Sequence, residues 1–334
     1  MNKYAVALAH PNIAFIKFWG LADEIRHIPS NGSISMNIGC LSTKTSVEFD
    51  SALKKDALIL NGEPISGGAL ARVGRFMDRI RQMAGQNLYA HIISENNFPI
   101  GAGLASSASG FAALALAGTA ALGLELSERE LSVLARYGSG SACRSIPGGF
   151  VEWLVAPHTG ETYAQSIAPP EHWDLVDCIA ILSDAHKPVG SEEGMRRAGS
   201  SPLQEARVHD AERRLEVCRQ AILKRDFKAL AGVTELDSNM MHAVMMTSDP
   251  PLYYWQAGSL SIMRAVKAWQ EEGIEVTFTL DAGPNVHLIT TRVFMGEIIH
   301  RLRDLPDVRE VITGMPAGPA RLLANDSPTQ AVQV

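Results

Sequence analysis

The stretch Ile100-Gly-Ala-Gly-Leu-Ala-Ser-Ser-Ala-Ser-Gly110 narrows the folds open to this chain more than any other segment. Gly101 and Gly103 let the backbone approach a ligand closely, and Ser106 and Ser107 open an Ala-rich helix whose body begins near Phe111. Free amides at a helix start, the dipole behind them and two hydroxyls form a cradle for an anion or a phosphate. It is not a Walker A loop, because the chain contains no Gly-Lys dipeptide, and not a dinucleotide fingerprint, because Ser106 stands where the third glycine belongs. A Gly/Ala-packed loop with a serine N-cap fits the same letters, so the residues alone leave both readings open.

Composition limits what such a loop can serve. With 46% hydrophobic and 20% charged residues the chain is a globular protein, not a disordered one. Its 334 residues allow two domains at roughly 150 residues each. A formal charge of −6 argues against a globally basic nucleic-acid binder and leaves room for a local cationic pocket. Cys40, Cys143, Cys178 and Cys218 form no CxxC pair, which points to four buried thiols and no protein-bound zinc. The N-terminus lacks a signal-peptide pattern, and the longest apolar run, 111–124, is shorter than the roughly 18 residues of a membrane span. A soluble, cytoplasmic protein is expected.

Along the chain, strands are expected at 5–9, 45–49, 88–95, 176–182, 275–280, 286–290 and 308–312, with a hairpin across 57–64. Apolar residues at helical spacing predict helices at 70–83, 127–137, 202–224, 227–246, 259–271 and 295–302. In the first, Arg72, Arg75, Arg79 and Arg81 suggest a solvated basic face. Ser127 with Glu130 makes a capping box for the second. The segment 138–149 reads as a loop rich in small residues. Two α+β domains are expected, 1–182 and 183–324, followed by a frayed polar tail at 325–334.

Several segments together resemble a known family. Pro99-x-x-x-Gly103-Leu104-Ala105-Ser106-Ser107-Ala108 is similar to the phosphate-binding motif of the galactokinase, homoserine kinase, mevalonate kinase and phosphomevalonate kinase (GHMP kinase) superfamily. PNIAFIKFWG (11–20), IPSNGSISM (28–36), SENNFP (94–99), GSGSACRSIPGGFVEW (138–153), DSNMMHAVM (237–245) and TLDAGPNVHLI (279–289) resemble its mevalonate diphosphate decarboxylase branch, in order over nearly the whole chain. The resemblance implies a GHMP kinase fold: an N-terminal ribosomal protein S5 domain 2-like domain and a C-terminal ferredoxin-like domain, with the active site between them. It also implies ATP and Mg2+ as cofactors, a phosphorylated mevalonate as substrate, no nucleic-acid or membrane partner, and a homodimer.

By the same resemblance Asp281 is the catalytic carboxylate beside the C3 hydroxyl, Lys17 pairs with it, and the planar fork of Arg144 takes the substrate carboxylate. Phe18, Ser139, Ser141 and Ser191 fall at substrate-binding positions, although Phe18 lacks the phenolic hydroxyl that many relatives carry, and Arg72 on the basic helix is a further substrate-binding candidate, able to hold a single phosphate. Ser94, Asn96, Gly101, Gly103, Leu104, Ala105, Ser106 and Ser107 fall at ATP-binding positions, the last two also nearest the expected Mg2+. His242 reads as a structural hydrogen-bonding residue.

Departures from the branch concentrate at the phosphorylated end of the substrate. Leu21 and Ala22 stand where diphosphate-specific relatives carry two cations, and Gly32 and Gly190 replace hydroxyl residues. A cation about 4 Å from an anion is worth on the order of 4 kcal/mol at an effective dielectric near 20. These losses favour mevalonate 5-phosphate, converted to isopentenyl phosphate. The alternatives are a diphosphomevalonate decarboxylase, a mevalonate 3-kinase that releases no CO2, and a nucleotide-binding sensor without turnover.

Overall fold

A computed structural model describes residues 3–98, 106–156, 161–183 and 189–324. The expected ATP-site residues Gly101, Gly103, Leu104 and Ala105, and the tail from 325, lie outside the described residues.

The first half contributes β1 (Tyr4–Ala9), β2 (Asn12–Ile16), β3 (Leu21–Asp23), β4 (Ile28–Pro29), β5 (Ser33–Asn37) and β6 (Thr43–Asp50). After them come β7 (Ala57–Leu60), β8 (Glu63–Pro64), α1 (Gly67–Ala84), β9 (Tyr89–Asn96), α2 (Ser106–Ala121), α3 (Glu128–Gly138), β10 (Phe150–Ala156) and β11 (Glu161–Ala168). The remainder runs β12 (Leu175–Ile181), α4 (Ser191–Arg197), α5 (Gln204–His209), α6 (Ala211–Lys224), α7 (Phe227–Met246) and α8 (Ala257–Glu271). It ends with β13 (Val276–Thr279), β14 (Val286–Thr291), α9 (Met295–Arg303), β15 (Glu310–Gly314) and β16 (Arg321–Leu322). The chain is α+β, as its sequence predicts.

Three larger sheets organise these elements: β16-β1-β6-β9-β7-β8, β11-β10-β5-β2 and β13-β14-β12-β15. Helix α2 packs on β1 and β6 and also against α1 and α3. That explains why its Ala- and Leu-rich surface is buried nearly all round. Helices α8 and α9 cover the third sheet.

Strand β12 pairs with β14 and β15, so residues 175–181, which precede the expected boundary at 182, belong to the third sheet. All seven residues of β12 are buried, and such a strand goes to whichever sheet covers both its faces. The chain also returns, with β16 pairing to β1. One core joins Ile13, Phe15, Ile34 and Met36 of the second sheet to Leu215, Cys218, Ile222 and Leu230 of α6 and α7. The two halves therefore share an apolar core.

Local expectations need four corrections. The 138–149 segment contains a 3-10 helix at Gly140–Ser145. The helix expected at 202–224 breaks at Asp210 into α5 and α6. Arg81 of α1 is buried and forks onto Asp56 at 2.9 and 3.0 Å, so the basic face is only partly solvated. Cys40 is exposed, whereas the other three thiols are buried, and burial pushes those of Cys143 and Cys178 up to about 12. Among the described residues no helix is long and apolar enough to cross a membrane.

Candidate active site

A cavity of about 570 Å³ opens where β2, α1, the start of α2, the 3-10 helix, α4 and the turn after β13 converge. Asp281, Lys17, Arg144, Phe18, Arg72, Ser139, Ser141, Ser191, Ser106 and Ser107 all line it, so residues distant in sequence meet around one hollow.

Lys17 leaves the end of β2 pointing into the cavity and is itself buried. Its Nζ donates to Asp281 Oδ1 at 2.5 Å and to the Ala14 carbonyl at 3.1 Å. The Asp281 side chain keeps about a third of its surface open, at 34%. An ammonium this close pairs with the carboxylate and fixes where its oxygens point. Its backbone is held from behind. Asp237 Oδ2 accepts the Lys17 N–H at 2.7 Å, while Arg207 and Asn31 donate to its carbonyl at 2.6 and 3.0 Å. Arg214 closes the network onto Asp237 at 2.9 Å.

Arg144 comes from the 3-10 helix after α3 and is 3% exposed. Its Nε, NH1 and NH2 donate to Ser35 Oγ, Ser33 Oγ and Asn12 Oδ1 at 3.0, 2.6 and 3.0 Å. Those acceptors are neutral, and among the described residues no carboxylate forms an ion pair with Arg144. A guanidinium has five N–H donors, so two remain for a ligand. Burial pushes its pKa below the usual arginine value, with the Asp281 charge acting the other way. The Phe18 ring lies under it, 5.4 Å from the guanidinium carbon, and packs edge-on against Trp153. A buried cation held only by neutral groups is suited to contact an anion.

Hydroxyls connect this region to α2. Ser107 Oγ lies 3.1 Å from Ser139 Oγ, which lies 3.4 Å from Ser141 Oγ. A second cavity of about 280 Å³ adjoins, walled by Leu58, Leu60, Ile65, Val73, Ile92 and Leu114, with Ser94 and Asn96 at its edge. Arg72, Ser106 and Ser107 line both hollows. Arg72 is set by two hydrogen bonds to the Gly138 carbonyl, at 3.0 and 2.7 Å. A Cβ at Gly138 would stand 2.1 Å from Phe111, so only glycine fits there.

His242 stacks on Trp255 and lies 3.4 Å from the Leu280 carbonyl, and burial with the Lys17 charge lowers its pKa to about 3. It is neutral and supports the strand end that carries Asp281. Sequence reasoning missed Asn31, Arg207 and Arg214, whose role is visible only once α5 and α6 fold back on β2. It also missed Glu192 and Arg196 of α4, which line the larger cavity.

Comparison with known proteins gives this geometry a family. Residues 9–168 match the model of the diphosphomevalonate decarboxylase-like N-terminal domain, and 178–327 that of the mevalonate 5-diphosphate decarboxylase C-terminal domain. The chain is 38% identical to a diphosphomevalonate decarboxylase of Ganoderma lucidum, over 90% of this chain and 81% of that protein. It is 32% identical to a phosphomevalonate decarboxylase of Haloferax volcanii, over 96% and 97%. A solved structure of MDDEF in complex with MVAPP, AMPPCP and magnesium superposes with a TM-score of 0.90 at 35% identity, covering 96% of this chain and 99% of the other. The chain belongs to the mevalonate diphosphate decarboxylase family, whose members are ATP-dependent decarboxylases.

Proposed function

We propose that this protein decarboxylates mevalonate 5-phosphate with ATP and Mg2+, giving isopentenyl phosphate, ADP, phosphate and CO2, on a GHMP kinase fold. The observation that carries the reading is that the Lys17–Asp281 pair and the carboxylate-free Arg144 guanidinium line one cavity. The apolar hollow beside α2 suits a nucleotide base, and Ser106 and Ser107, which with Arg72 line both hollows, support a terminal phosphate lying next to the substrate.

Asp281 takes the proton of the C3 hydroxyl as its oxygen attacks the terminal phosphorus. The new phosphate then leaves C3 with the C–O electron pair. As it goes, the C1–C2 pair closes the C2–C3 double bond and C1 departs as CO2. Arg144 fixes the carboxylate so that this bond is aligned when C3 becomes electron-poor, and Asp281, having passed its proton on to the departing phosphate, is again a carboxylate beside the positive charge growing there. The Ser106 and Ser107 hydroxyls are suited to a hard cation that is otherwise held by phosphates and water, and Mg2+ there neutralises the charge of the transferring phosphoryl group.

Leu21 supports the monophosphate, since it puts an aliphatic side chain on a wall where a longer anion needs donors. The 38% identity to a diphosphomevalonate decarboxylase favours the diphosphate as the second reading. Measuring kcat/KM for both substrates decides: the proposal expects the monophosphate to lead, and a clear lead for the diphosphate overturns it.

A further inference from the structure

Among the described residues four cations line the larger cavity, namely Lys17, Arg72, Arg144 and Arg196. Lys17 is bound to Asp281, and Arg144 is buried among Ser33, Ser35 and Asn12. Among the described residues, Arg72 and Arg196 are therefore what remains for the phosphorylated end of a substrate. Between them stands a carboxylate. Glu192 Oε1 lies 2.8 Å from Arg196 NH2, and Oε2 lies 3.8 Å from Arg72 NH1. Each carboxylate oxygen thus faces one guanidinium, the arrangement a bridging phosphate would take. Arg196 is further shared with Glu24 at 3.8 Å, and the neighbouring Glu193 is paired with Arg197. His27 on the same wall adds no charge at neutral pH, because burial lowers its pKa.

We infer that Glu192 is a specificity-determining residue for the length of the substrate's phosphate chain, its carboxylate standing where a second phosphate has to go. A single phosphate binds at Arg72 and leaves the Glu192–Arg196 pair intact. A second phosphate brings further negative charge against that carboxylate, and neither remaining guanidinium is unopposed. The inference rests on the phosphorylated-mevalonate reading above and names the residue that tunes it.

Glu192→Gln tests it, since the side chain is 42% exposed and the amide keeps its shape without the charge. Purified enzyme and variant are assayed with mevalonate 5-phosphate and mevalonate 5-diphosphate at saturating MgATP. The ratio of kcat/KM for diphosphate over monophosphate is expected to rise at least about fivefold in Glu192→Gln, about 1 kcal/mol of discrimination. Glu192→Asp, which retains the charge, is expected to stay nearer the parent ratio. A rise below that threshold overturns the inference, and so does a parallel fall for both substrates, the signature of a residue that merely braces α4. The wild-type ratio reads the substrate assignment and its change on substitution reads Glu192, so either can fail alone.

Discussion

Replacing Arg144 probes the site where its chemistry is most exposed to test. The guanidinium is spread over three neutral acceptors at 2.6–3.0 Å and has two donors left for a carboxylate. Arg144→Lys keeps the charge and loses the fork, because one ammonium cannot serve Ser33, Ser35, Asn12 and a substrate together. Losing one charge-assisted hydrogen bond to the substrate costs about 1.5–3 kcal/mol, so kcat/KM falls roughly 10- to 150-fold. Arg144→Met leaves a desolvated carboxylate with no counter-charge, a penalty of about 3–5 kcal/mol and a loss of roughly 10² to 10⁴. Initial rates of ADP formation and CO2 release over a range of substrate concentrations measure both variants. Thermal melts taken alongside confirm that each is folded. An Arg144→Met enzyme that melts like the parent and keeps kcat/KM within tenfold refutes the carboxylate-receptor role.

Two other outcomes follow from the network beneath the site. Asp237→Asn removes the anion between the buried Arg207 and Arg214, 3.6 and 2.9 Å away, and is expected to lower unfolding free energy in urea by about 3–5 kcal/mol. A loss under about 1 kcal/mol contradicts the idea that Asp237 compensates those charges. His242 has a folded pKa of about 3 against an ordinary 6.5, so between those values the unfolded chain binds a proton the folded one does not. Stability is therefore lost as pH falls below about 6.5, by about 2 kcal/mol at pH 5 from this residue alone. His242→Gln is expected to flatten that pH dependence, and an unchanged slope in denaturant titrations at pH 5 and 7 argues against it.

Helices whose apolar residues recur at 3.6 spacing were legible in the sequence, and α7 runs over the residues the periodicity predicts. So was the α3 capping box, in which Ser127 and Glu130 bond reciprocally. The second sheet was not. Strands β2 and β5 are buried on both faces, so neither shows the alternation that marks a half-buried strand. The break at Asp210 was hidden because α5 and α6 share one continuous charged pattern.

Within the site, the residues proposed to carry chemistry sit in motif-dense turns, Asp281 before Ala-Gly-Pro and Arg144 after a run of Gly and Ser, and the family resemblance singled them out; the structure brings both to one cavity. Their supports were not singled out. Arg207 and Arg214 look like a solvated helix face until α5 and α6 dock, which buries both. Glu192 is an ordinary surface glutamate in sequence. Its i,i+4 pairing with Arg196 lies within α4, and only the approach of α4 to α1 places it against Arg72.

The most direct test of the central claim is the stoichiometry of a single incubation with mevalonate 5-phosphate, ATP and Mg2+, with the organic product identified by mass. If Asp281 and Arg144 act in concert on one bound acid, each ADP is accompanied by one CO2 and one isopentenyl phosphate. ADP accumulating with a 3-phosphorylated mevalonate and no CO2 contradicts it.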